Sequence, residues 1–331
     1  MEIGTVFATS METPEHIQAA EELGYGYAFV YDSPTFLADP WMILAKTAER
    51  TSRIRIGVGV ITPRLRHLVA NAGATATLHT LAPGRVDLGV GAGFTSQAML
   101  GKKPARWAEV EEYVKGLRTL LAGEELEWDG EVIALRHGKL AGVELPAEVP
   151  LWVAAHGPKG YGVAQRVADA VLTNPSHGST NVFEGLNRVF LLHYGTVLED
   201  GESAASERVL EAAGPAAALH LHLGSEGAAG DLEECTAYHD ALSAVDERHR
   251  HLEMHRGHLI ELTDLERPFI TPEVIRRATG TGTPDEVAGQ VAAMAQSGAT
   301  GVLYGPMGSD VPNELRKFAE VVQSVKGAVA R

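Results

Sequence analysis

Residues 53–66 read RIRIGVGVITPRLR. Ile54, Ile56, Val58 and Val60 recur at every second position, the period of a strand. Gly57 and Gly59 fall between them. Glycine weakens a strand interior, and it is found where another backbone or a ligand comes close. Thr62-Pro63 ends the run, and a basic loop with Arg64, Arg66 and His67 follows. The stretch predicts a barrel strand whose C-terminal end meets something flat and polar. A plain buried strand, with small residues for packing, fits these residues equally well.

Outward from this strand the chain alternates strands with helices. Further strands are predicted at 2–8, 26–31, 85–90, 150–155, 168–173, 188–198 and 301–305. Helices between them carry apolar stripes, as in Trp107, Val110, Val114, Leu117 and Leu121. Thr283-Pro284-Asp285-Glu286 has the spacing of a capping box. A small hairpin is expected around Asp129-Gly130. Eight strands in this alternation predict a (β/α)₈ TIM barrel forming a single domain over residues 1–331. Residues 203–280 show helical patterns without a strand, and they predict a helical insertion on the C-terminal rim between strands seven and eight.

Composition narrows the function classes. The 331 residues include 28 Lys and Arg against 43 Asp and Glu, a net charge of -15. That balance opposes general binding to nucleic acid or to anionic membranes. A local phosphate site is still allowed, because a helix N-terminus and a few basic residues suffice. Cys235 is the single cysteine, which leaves no disulfide framework or zinc–cysteine cluster, and it reads as a buried thiol. The first residues lack a signal-peptide pattern and no apolar run reaches membrane-spanning length, so a cytoplasmic protein is expected.

In such barrels the active site lies at the C-terminal strand ends. The candidates there are Asp32 and Ser33, Gly59 to Arg66, Gly91 to Gln97, His156 to Lys159, Thr173 to His177, His193 and Tyr194, and Tyr304 to Met307. His156-Gly157-Pro158-Lys159 joins a strand to a helix, so its backbone N–H groups suit a phosphate, or form an ordinary tight turn. Trp41, Phe94, Trp107, Tyr194 and Tyr304 are candidate aromatic walls, or core. The insertion holds His220, His222, His239, His249, His251, His255 and His258. His251, His255 and His258 are spaced to share a helix face. No HExxH motif accompanies them, so no metal is expected; the face reads as a polar cavity wall supplying a proton donor, His255 or His258, or as solvated. Glu207 and Arg208 read as solvated helix charges.

Taken in order, YDSP (31–34), RIRIGVGVITPRLRH (53–67), TLAPGRVDLGVGAG (80–93), the segment 101–130, VPLWVAAHGPK (149–159) and RVADAVLT (166–173) resemble the bacterial luciferase-like superfamily of flavin- and deazaflavin-dependent oxidoreductases. The likeness is nearest to its methylenetetrahydromethanopterin reductase-like members, which use coenzyme F420. The resemblance implies a cofactor ring laid across the strand ends, with a non-prolyl cis peptide at Gly59–Val60. Asp32, Gly59, Val60 and Thr62 would meet the ring, and Gly91 and Gly93 would flank it. Ala155, His156, Gly157, Pro158, Thr173 and Asn174 would hold the phosphate end. It further implies hydride transfer to or from a small organic substrate with a C=C, C=N or C=O group, and a homodimer. The alternative within the superfamily is an FMN-dependent monooxygenase. Ser33 stands where many deazaflavin-using relatives have His, Leu68 where proline is usual, and His156 where the AAGGP turn has glycine. The resemblance therefore leaves the acid–base role unassigned, and the candidate proton donors are His255 or His258, with Tyr194 as another. A binding protein without turnover, or a lyase or isomerase on the same barrel, stays open because fold alone does not choose.

Overall fold

The computed structural model describes residues 1–174, 183–186 and 188–329. Strands β1 (Glu2–Phe7), β2 (Tyr27–Val30), β3 (Arg55–Ile61) and β4 (Val86–Gly91) alternate with helices α1 (Thr13–Glu22), α2 (Pro40–Arg50) and α3 (Leu68–Leu81). After β4 come a short α4 (Phe94–Ala98), α5 (Trp107–Leu121) and the hairpin β5 (Leu126–Trp128) with β6 (Glu131–Ile133). Then follow β7 (Leu151–Ala154), α6 (Gly157–Val167), β8 (Ala170–Thr173) and β9 (Val189–Tyr194). Four helices lie beyond β9: α7 (Glu207–His222), α8 (Glu233–Ser243), α9 (Arg250–Met254) and α10 (Pro272–Ala278). Helix α11 (Pro284–Gln296), β10 (Gly301–Gly305) and α12 (Val311–Val329) complete the chain.

Eight strands close a parallel barrel in the order β1-β10-β9-β8-β7-β4-β3-β2, and β5 and β6 pair separately. The reason for closure is visible in the burial of the strands, which are apolar on both faces. One set of side chains, including Phe29, Trp152, Phe190 and Leu303, fills the barrel interior. The other set packs outward on the helices in one continuous core. Val209, Ala213, Leu221, Tyr238, Val274 and Ile275 form a further apolar cluster, belonging to the helices after β9.

Local chemistry sets the helix starts. Asp39 caps α2, its carboxylate accepting from the N–H groups of Trp41 and Met42, with Pro40 in the first turn. Thr283 and Glu286 form the reciprocal capping box of α11. The hairpin turns at Asp129-Gly130, where both residues adopt positive φ. Among the described residues no helix is long and apolar enough to cross a membrane.

Two expectations require correction. His251, His255 and His258 do not share one helix: α9 ends at Met254, His255 is its C-cap, and His258 lies in the turn beyond. Arg208 is not a solvated charge. Its guanidinium donates to Glu202, Glu314, Thr196 and the Val197 carbonyl, tying α7 to α12. Glu207, by contrast, is exposed and pairs with Arg267.

Candidate active site

The strand read first builds the floor. β3 and β4 run in register from Ile56↔Val86 to Val58↔Leu88, then shift so that Ile61 faces Val90. The irregularity holds Gly59 and Val60, which are joined by a cis peptide bond, as the resemblance implied. Gly59 has no room for a side chain: a Cβ there would stand 2.9 Å from the Phe29 Cβ. A Cβ on Gly91 would stand 2.7 Å from the Val60 Cγ2. Gly93 turns the chain at φ +77°, a conformation that favours glycine, and opens α4.

Above this floor is a cavity of about 360 Å³ at the C-terminal end of the barrel. Every barrel strand, or the residue just after it, contributes to its wall, from Val6 on β1 to Leu303 on β10. Trp107 and Phe94 supply aromatic surface, and His258 and Leu259 reach in from the segment after α9. Besides His258 and Tyr31, the polar lining groups are few: Asp32, Ser33, Thr95, Ser96, His156 and Thr173. A mostly apolar wall with a handful of convergent polar groups is the usual make-up of a small-molecule site.

The polar groups differ in how they are held. The buried Asp32 carboxylate takes a two-pronged grip from Arg66, Nε to Oδ2 at 3.0 Å and Nη2 to Oδ1 at 3.1 Å. Arg66 Nη2 also donates to Asp39 Oδ2 at 2.8 Å, so the basic loop is fixed to the cap of α2. Thr173 Oγ1 lies 3.1 Å from the Tyr161 hydroxyl. Ser96 Oγ is buried and has no hydrogen-bond partner among the described residues. His156 is the N-cap of α6 without a side-chain capping bond, and the first turn of that helix holds no acid.

Several residues expected at the cofactor are not on the cavity wall. Thr62 lies beneath it, within 3.4 Å of Gln97 Nε2 and against Gly93. Ala155 is fully buried, and the wall position on β7 belongs to Ala154. Gly157, Pro158 and Asn174 are exposed beside the wall residues His156 and Thr173. Pro175, Ser176 and His177 lie outside the described residues. His193 packs beside the stacked Tyr304 and Phe318 rings and is not on the cavity wall. Trp41, Tyr194 and Tyr304 also fall outside the wall.

Of the three acid–base candidates, His258 alone lines the cavity. Its Nε2 is 3.0 Å from Thr95 Oγ1, and burial pushes its pKa well below the ordinary histidine value. His255 stands behind Phe94, the rings edge to face at 6.4 Å. Tyr194 is reached through Tyr31, a wall residue, with the two hydroxyls 2.8 Å apart. Burial pushes the Tyr194 phenol up to about 12, so it stays protonated.

Arg66, Ser96 and Leu259 are the residues whose part the sequence reading missed. Arg66 and Ser96 fell within the strand-end ranges but carried no role. Leu259 comes from a turn with no periodicity to mark it, and its φ is positive.

The family model described as luciferase-like monooxygenase matches residues 8–301 of this chain. The chain is 26% identical to 5,10-methylenetetrahydromethanopterin reductase from Archaeoglobus fulgidus, over 98% of this chain and 100% of that protein. It is 36% identical to F420-dependent glucose-6-phosphate dehydrogenase from Beutenbergia cavernae, over 48% of this chain and 51% of that protein. Among solved structures, coenzyme F420-dependent tetrahydromethanopterin reductase from Methanopyrus kandleri superposes with a TM-score of 0.71 over 98% of this chain and 99% of that one. At 20% identity that likeness shows the fold.

Proposed function

This chain belongs to the luciferase-like monooxygenase family, and we propose from that premise that it is a coenzyme F420-dependent oxidoreductase. The reaction passes a hydride between the deazaflavin and a small organic substrate bearing a C=C, C=N or C=O group. The observation that carries this reading is the glycine-lined floor: Gly59, Gly91 and Gly93 line the cavity with Val60, and the absence of a side chain on Gly91 leaves Val60 uncrowded. The similarity to F420-dependent enzymes supports the choice of cofactor.

The residues present suit a flat ring with a phosphorylated tail. A side chain on Gly91 would press on Val60, which lines the cavity, so the small residue keeps that face clear. The buried Ser96 hydroxyl lines the cavity with no partner among the described residues, a state that a polar ligand atom would relieve. The open first turn of α6, free of acids, favours an anion at the other end.

When bound, the deazaflavin supplies two-electron hydride chemistry. The chain's own part is placement. Gly59, Val60 and Gly91 would back the ring. Ser33 and Ser96 would hydrogen-bond its polar edge, and Asp32, held by Arg66, would keep its carboxylate fixed beside them. His156, Gly157 and Thr173 would receive the phosphate end. Phe94, Trp107 and Leu259 would exclude water from the substrate side. His258 and Thr95 form the polar couple on that wall able to hold a proton near the substrate.

Titration of the purified protein with coenzyme F420 and, separately, with FMN tests the reading through fluorescence quenching. F420 is expected to bind at least ten-fold more tightly. A preference for FMN would replace the proposal with a flavin monooxygenase, with oxygen consumption as its assay. Binding of neither would remove the ring from this cavity.

A further inference from the structure

The rim helices bring together three histidines that the local sequence pattern did not group. His222 is the last residue of α7, His255 caps α9, and His258 follows in the next turn. Their rings pack as a triangle, with centroids 5.4 Å (His222 to His255), 5.5 Å (His255 to His258) and 6.1 Å (His222 to His258) apart. One ring nitrogen from each lies within 4.8 Å of the others.

The hydrogen bonds show which ring nitrogens are already engaged. His222 Nε2 is 2.7 Å from Glu266 Oε1, and a carboxylate accepts, so that nitrogen carries the proton. The other Glu266 oxygen is occupied by the Thr263 N–H and hydroxyl. His258 Nε2 is engaged by Thr95 Oγ1. This leaves Nδ1 as the uncommitted nitrogen of both rings. Among the described residues, Nδ1 of His222, His255 and His258 is in each case buried and without a hydrogen-bond partner. The His222 side chain is 1% exposed and His255 as a whole 3%. Three buried ring nitrogens left unengaged in rings packed this closely are costly unless something binds them. Metal-binding imidazoles show the same arrangement: one nitrogen on the ion, the other N–H on a carboxylate or hydroxyl.

We propose that His222, His255 and His258 bind one divalent transition-metal ion of the zinc class through their Nδ1 atoms, with Glu266 and Thr95 holding the outer faces of the rings. Imidazole ligands suit zinc, copper, iron and nickel, and they do not suit magnesium or calcium. Nitrogens on a tetrahedral zinc stand about 3.3 Å apart, given bonds of about 2.0–2.1 Å. Binding therefore requires the three ring nitrogens to draw in from the spacing of up to 4.8 Å seen here. Three protein ligands leave a fourth position for water or another oxygen ligand. The site joins α7 to the segment that presents His258 and Leu259 to the cavity, so the ion fixes that wall.

The experiment uses the untagged protein, stripped with a chelator and dialysed against Zn(II), with metal measured by elemental analysis. One zinc per chain is expected. Co(II) in its place is expected to give the intense visible bands of a four-coordinate site. His222→Ala and His255→Ala should each weaken zinc binding at least 100-fold. Glu266→Gln should weaken it about 10–100-fold, the usual effect of an outer partner. His249→Ala, at an exposed histidine paired with Asp246, should bind as the parent does. If an alanine variant does not fold, thermal melts of His258→Gln with and without zinc replace it; zinc should raise the Tm of the parent and leave the variant unmoved. Less than 0.1 zinc per chain in the parent, or equal affinity in the triad variants, overturns the site. The measurement needs no cofactor, so its failure leaves the hydride-transfer reading standing, and the reverse also holds.

Discussion

At the residue scale, three glycines of the candidate site region do three different jobs, and substitution separates them. A Cβ on Gly57 would come within 1.9 Å of the Asp87 carbonyl oxygen, which is backbone and cannot rotate away. Gly57→Ala is therefore expected to lower stability by about 3 kcal/mol or more in urea unfolding. At Gly91 the obstacle is the Val60 side chain, which lines the cavity and can yield toward it. Gly91→Ala should fold with nearly the parent's stability and bind F420 about ten-fold less tightly (about 1.4 kcal/mol). An unchanged affinity would place the ring elsewhere. Gly157 meets nothing within 4 Å but has φ +64°, which Asn tolerates better than most residues. Gly157→Asn and Gly157→Asp share that strain, so their difference isolates the charge. The Asp variant should bind the phosphorylated cofactor at least five-fold more weakly than the Asn variant. The sequence reading took Gly57 and Gly59 as one feature making room for a ligand or a backbone. In the structure they divide: Gly57 admits the neighbouring strand, and Gly59 clears Phe29 beneath the cavity. Period and composition could not tell them apart, because both sit at alternate positions on the same face.

At the element scale, the seam between β9, β10 and α12 stores a pH dependence. Tyr304 of β10 and Phe318 of α12 stack at 4.2 Å, and His193 of β9 packs on Phe318 at 5.0 Å. Burial in this apolar seam pushes the His193 imidazole down to about 4. The unfolded chain takes up the proton first, near pH 6.5, so the native state loses stability as pH falls from there toward 4. Between pH 7 and pH 5 this group should contribute a loss of about 2 kcal/mol. His193→Gln should remove that part of the slope, read as the parent-minus-variant difference in urea unfolding at the two pH values. An identical slope in both would mean that His193 is as readily protonated folded as unfolded. The same seam shows why the elements were legible and their cross-links were not. Each strand announces itself over a few residues by period, and each helix by its stripe and cap. The acidic partners of Arg208 are Glu202 and Glu314, and the second is 106 positions away. A helix-start Arg looks solvated until the barrel closes and brings α12 beneath it. His222 was hidden from the histidine triad in the same way, 33 residues before His255 with two helices between.

At the scale of the whole molecule, two electrostatic expectations conflict, and one measurement decides between them. The chain carries a net charge of -15, which by itself repels an anionic cofactor. That argument ruled on nucleic acid and membranes because such partners sample much of the surface. A cofactor samples one mouth. Lys102 and Lys103 are exposed immediately before the wall residue Pro104, and Lys159 is exposed in the first turn of α6. Among the described residues none of the three has an ion pair, whereas Arg64 and Arg106 nearby are taken up by Glu109. At physiological salt, charges beyond about 8 Å are largely screened, so the local lysines outweigh the distant acids. The association rate of F420 should therefore fall as salt is raised from 20 to 300 mM (both about), by roughly three-fold or more. Lys102→Ala with Lys103→Ala should flatten the dependence. A rate that rises with salt would mean that the net charge governs the approach, and that the unpaired lysines take no part in receiving the cofactor.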